Sequence, residues 1–174
     1  MASAISHDRH LLFIHIPKTG GSSISFSYTD VFEIPEPDME THRRIDDFRI
    51  CEMDYWKFCV VRNPWAMCAS WYCWHITQYR PSDQRPPNHT MDIAVDAVQT
   101  PEHWELDRMD DILRFEEIGQ EVERLMTEFG VPIRNLKKLN ASGMGDYRQY
   151  YSDGQAERVA QRFAQCIKRF GYEF

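Results

Sequence analysis

The stretch Leu11-Leu12-Phe13-Ile14-His15-Ile16-Pro17-Lys18-Thr19-Gly20-Gly21-Ser22-Ser23 constrains the fold more than any other part of the chain. Five of its first six residues are apolar, as a strand covered on both faces requires. Pro17 has no N–H to give to a ladder, so the strand is expected over 11–16. Gly20 and Gly21 tolerate positive φ and leave no Cβ between backbone and ligand. Ser22 or Ser23 is a candidate cap for the helix expected next. Free N–H groups of the turn, the positive helix end and Lys18 together make an anion site suited to phosphate or sulfate. The Walker pattern places its lysine after the glycines. Here Lys18 precedes them, which points away from ATP and towards another phosphate-bearing donor.

A second apolar strand, Phe58-Cys59-Val60-Val61, runs into Arg62-Asn63-Pro64-Trp65. Pro64 suits the first turn of a helix. Ser70 lies about two turns into that helix. An arginine at a strand end and a hydroxyl on the adjoining helix can grip one phosphate from two sides. The pair of motifs, PKTGGSS and then VRNPW-x4-S-x-Y, resembles the PAPS-dependent sulfotransferases, in the branch that includes carbohydrate sulfotransferases and small bacterial members. The resemblance implies that Lys18, Thr19, Gly20, Gly21, Ser22 and Ser23 bind the 5′-phosphosulfate of 3′-phosphoadenosine 5′-phosphosulfate (PAPS). It implies that Arg62 and Ser70 bind the 3′-phosphate, and that the product is 3′-phosphoadenosine 5′-phosphate (PAP). Leu113-Arg114-Phe115-Glu116, Leu139-Asn140-Ala141-Ser142, Tyr150-Tyr151-Ser152-Asp153 and the ending Phe170-Gly171-Tyr172-Glu173-Phe174 are similar to later parts of the family pattern. Tyr147 and Arg148 correspond to a region that closes over the nucleotide in some relatives. Two departures stand out: Ala66-Met67 where relatives often carry Asp-Arg, and Cys166 where an acidic residue is common.

The chemistry so implied is transfer of a sulfuryl group to a hydroxyl or amine, with Lys18 stabilising the leaving phosphate. Its worked template is phosphoryl transfer, in which positioning and charge stabilisation do most of the catalysis. An acceptor hydroxyl needs a base. His42 is the candidate, because relatives often carry a histidine between the two motifs; Glu40 is the runner-up. His15 is expected in the core or behind the site, and His75 and His89 on the surface or against the acceptor. Cys68, Cys73 and His75 lack a second ligand pair, so no metal is expected to be required. Trp71, Tyr72, Trp74 and Tyr79 are expected to pack rather than stack a base.

Strands alternating with helices predict an α/β fold: a P-loop-like three-layer domain with a central, mostly parallel sheet flanked by helices. The further elements expected are a strand over 57–62 with a helix over 64–79, a short strand over 112–115 with a helix over 117–129, and a final helix from 153 to 171. Pro- and Glu-rich residues 33–38 and proline-rich residues 81–88 are expected loops, the latter either a surface connection or an acceptor gate. The length of 174 residues predicts a single domain, 1–174. The net charge of −7 argues against nonspecific nucleic-acid binding. No 18-residue apolar window or leader is visible, so no membrane span is expected and the location expected is cytoplasmic. Five unevenly spaced cysteines fit reduced thiols, and the sequons at Asn88 and Asn140 are then chance. A glycan, a lipid-linked sugar, a small molecule or a protein tyrosine all remain open as acceptor, and the oligomeric state is not readable. Two other functions stay in view: a P-loop-like nucleotide kinase or NTPase, and a PAP- or PAPS-binding protein without catalysis.

Overall fold

The computed structural model describes residues 3–34, 42–48, 54–78, 90–139 and 143–174, without the side chains of 77 and 78. Glu40, His89, Tyr79, the 81–88 loop, most of the 33–38 loop and both sequon asparagines lie outside the described residues. The chain forms two compact units, Met1–Val61 with Trp104–Leu139, and Arg62–His103 with Asn140–Phe174.

The first unit holds a four-stranded sheet in the order β1 (Ala4–Ser6), β2 (Leu11–Ile14), β3 (Trp56–Val61), β4 (Asp111–Arg114). β1 is antiparallel to β2, whereas β2, β3 and β4 run parallel, so their carboxyl ends lie at one end of the sheet. Leu11 and Phe13, Phe58 and Val60, and Leu113 alternate onto one face, where α1 (Gly21–Ser27) and α4 (Ile118–Glu128) cover them with Ile24, Val122, Leu125 and Met126. Leu12, Ile14, Cys59 and Val61 on the other face are buried as well. That is why both main strands read as continuous apolar runs. The mixed α/β class with a mostly parallel sheet and flanking helices is as expected.

The second unit is helical: α2 (Pro64–Gln78), α3 (Met91–Ala97), α5 (Asp153–Arg162) and α6 (Ala164–Phe170). Its core joins Trp65, Met67, Cys68 and Ala69 to Val95, Val159, Phe163 and Cys166. Arg158 binds Asp92 at 2.6 Å and Asp96 at 2.7 Å, fastening α5 to α3. No helix among the described residues is long and apolar enough to cross a membrane.

Three expectations need correction. The first strand stops at Ile14, short of Pro17. α1 begins at Gly21 with Gly20, not a serine, as its cap; Gly20 sits at φ 83, and Ser22 and Ser23 lie inside the first turn. The last helix is two helices, because Phe163 departs from helical geometry at φ −106 and ψ 21.

Candidate functional site

The turn after β2 is built against its own unit. Lys18 takes the left-handed conformation at φ 66, which an L-residue adopts only when its surroundings compel it. Thr19 is fully buried and its hydroxyl donates to the Ile16 carbonyl at 2.7 Å, so the side chain ties the turn and leaves only its backbone N–H for a ligand. A Cβ on Gly20 would meet the Phe115 ring at 2.9 Å and Ile118 Cδ1 at 3.0 Å. A Cβ on Gly21 would lie 2.1 Å from His15 Cδ2. Both glycines therefore make room for side chains of the protein itself. Ser22 and Ser23 are half-buried, and Ser23 Oγ accepts the Leu139 N–H at 3.4 Å. α1 has only seven residues, so loop N–H groups and Lys18 outweigh any helix dipole there.

His42 comes to this turn from the segment between the motifs. Its ring centroid lies 4.9 Å from that of His15, and the ring of Trp104 meets it edge-on at 6.4 Å. His15 is buried, 4% exposed, and stacks on Phe13 at 5.9 Å. Burial first, and then the positive charges of the chain's N-terminus and of Lys18, push the His42 imidazole down to about 4. At neutral pH it is unprotonated and able to accept a proton. Ser3 and Trp104 are the neighbours that sequence reasoning missed; His15, expected in the core or behind the site, is buried just after β2.

In the second unit, Asn63 caps α2: its Oδ1 accepts the N–H groups of Trp65 at 3.1 Å and Ala66 at 3.2 Å. Its Nδ2 donates to the Glu173 carbonyl at 2.8 Å and to the Tyr147 hydroxyl at 3.5 Å. Tyr147 is thereby brought beside the residue that follows Arg62. Arg62 is half-buried directly after β3, and Ser70 is buried on α2. Arg148 is exposed, lies over the Tyr147 ring at 4.8 Å and pairs with Asp146 at 3.3 Å. Ala66 and Met67, 7% and 1% exposed, lie in the packed interior, as does Cys166 at 1%. An Asp-Arg pair or a carboxylate there would be a buried charge, so both departures answer to packing.

No group of three or more metal-ligating residues occurs among the described residues. Cys68 is buried and its thiol is pushed up to about 12 by desolvation, which leaves little thiolate to hold a metal. His75 packs against Trp71, ring centroids 3.7 Å apart, and against Trp74 at 4.8 Å.

No protein-family model matches the chain, and no curated protein matches it. Among solved structures it is similar to the crystal structure of mouse sulfotransferase SULT7A1 complexed with PAP, with a TM-score of 0.58 and 13% identity. The match covers 95% of this chain and 89% of that one. At that identity the likeness is one of fold: the chain has the mixed α/β fold of a sulfotransferase.

Proposed function

We propose that residues 1–174 act as a single sulfotransferase domain that moves a sulfuryl group from PAPS to a hydroxyl or amine, and that it works in the cytoplasm. One observation carries the proposal: a lysine held at φ 66 in the glycine turn, with its charge acting on a half-buried, unprotonated histidine. A cation for a leaving phosphate and a base for an acceptor are the two things this transfer needs. The solved structure of like fold is a sulfotransferase with PAP, which supports PAPS as donor. The carbohydrate branch rests on the two sequence motifs alone, and a glycan, a lipid-linked sugar and a small molecule stay open as acceptor.

When bound, PAPS supplies a sulfuryl group on a phosphate leaving group. Lys18 and the backbone N–H groups of Thr19, Gly20 and Gly21 hold the charge that grows on that phosphate as its bond to sulfur breaks. Ser22 and Ser23 add hydroxyl donors. His42 takes the acceptor proton as the acceptor oxygen or nitrogen bonds to sulfur. Arg62 and Ser70 grip the 3′-phosphate, the guanidinium as a fork and the hydroxyl as a single donor. Tyr147 and Arg148 close over the nucleotide. No step calls for a metal.

The test is incubation with sulfur-labelled PAPS and a panel of sugars, alcohols and amines. Labelled product with release of PAP is expected, and turnover should fall at least about a hundredfold in Lys18→Ala and His42→Gln. Transfer from ATP instead of PAPS would move the assignment to a kinase. PAP binding with no product from any acceptor would leave a nucleotide-binding protein without catalysis.

A further inference from the structure

If His42 is the base, what holds its ring in place becomes the next question, and two residues outside both motifs answer it. Ser3 has no exposed surface. Its Oγ accepts the His15 N–H at 2.9 Å and donates to the Arg43 carbonyl at 2.9 Å. One hydroxyl thus joins the backbone entering the glycine turn to the peptide just after His42. Any slip of one segment past the other breaks a buried hydrogen bond. From another direction Trp104, 3% exposed, sets its ring edge-on to His42 at 6.4 Å. The residue after it, Glu105, is left-handed at φ 54. Its carboxylate is held by Arg44 at 3.0 Å and by Arg108 at 3.0 Å. The segment that carries Trp104 is therefore braced to the segment that carries His42.

We propose that Ser3 and Trp104 are positioning residues that fix the His42 ring against His15. This rests on His42 as the base and adds what keeps it there. The charged and titratable groups around the ring come from each neighbouring segment. They include the chain's N-terminus, His15 and Lys18 from the strand and turn, Arg43 from its own segment, and Glu105, already shared by Arg44 and Arg108, from the segment of Trp104. Burial is the first reason for the low proton affinity of His42. A ring released from its clamp gains water, and its affinity for a proton rises towards that of a free imidazole.

The test is a titration of the histidine ring resonances by NMR on the full chain, in the native protein, Ser3→Ala and Trp104→Phe, with His42→Gln to identify the signal. Circular dichroism checks that each variant is folded. The native His42 midpoint is expected far below 6.5. In both variants it should rise by about one pH unit, a roughly tenfold gain in proton affinity. An unchanged midpoint in the folded variants overturns the proposal; should Ser3→Ala fail to fold, Trp104→Phe decides alone. Native-like turnover of PAPS by His42→Gln would instead remove His42 as the base, whatever the titration shows, so the two failures are separate.

Discussion

His42 and Gly21 show how single residues set the local chemistry. The folded-state pKa of His42 lies at about 4, below the unfolded value of 6.5, so the unfolded chain binds the proton first as the pH falls. The contribution of this group to stability is complete above 6.5 and is lost between 6.5 and about 4. His42→Gln is therefore expected to lose less of its urea midpoint than the native chain does between neutral pH and about pH 4.5. An equal loss in both would mean that the ring is not desolvated. Gly21 makes a different demand, since an added methyl lands on the His15 ring. Gly21→Ala should lower the unfolding free energy by about 1–3 kcal/mol, read from denaturant curves, because a buried stacked ring has little room to retreat. His15, buried just after β2, was legible as an inward residue of the first apolar run. Its contact with Gly21 was not, because nothing in a Gly-Gly pair distinguishes a glycine that faces a ligand from one that faces a ring.

At the scale of elements, long apolar patterns were readable and short ones were not. The strands near 11, 57 and 112 stood out as apolar runs, and each is present within one or two residues of its expected limits. β1 has three residues and α3 has seven, too few to show a period. One final helix was expected from 153 to 171. The break at Phe163 instead turns Cys166 inward, fully packed, and leaves Ile167 half-buried. In α4, Val122, Leu125 and Met126 lie in the core, with Ile118 and Phe129 partly buried against it. Leu125 has no exposed surface and packs under the sheet, so Leu125→Ala is expected to cost about 2–5 kcal/mol in thermal or denaturant unfolding. A loss below about 1 kcal/mol would show that the core of the first unit closes around the gap.

For the whole molecule, a net charge of −7 means that a donor with several negative charges is repelled on average and must be drawn in by local cations. Lys18, in the turn after β2, and Arg62, directly after β3, are the cations proposed for that task, and their order with the glycines is read from the sequence. The acceptor was not legible, because residues 75–110 carry no motif that specifies a sugar or any other group. The donor is tested by a calorimetric titration with PAP, and separately with ATP, of the native chain and Arg62→Ala. PAP is expected to bind without competition from ATP, and Arg62→Ala to weaken PAP by about tenfold to a hundredfold, the worth of hydrogen bonds to a charged phosphate. ATP binding as tightly as PAP, with Arg62→Ala without effect, would contradict it.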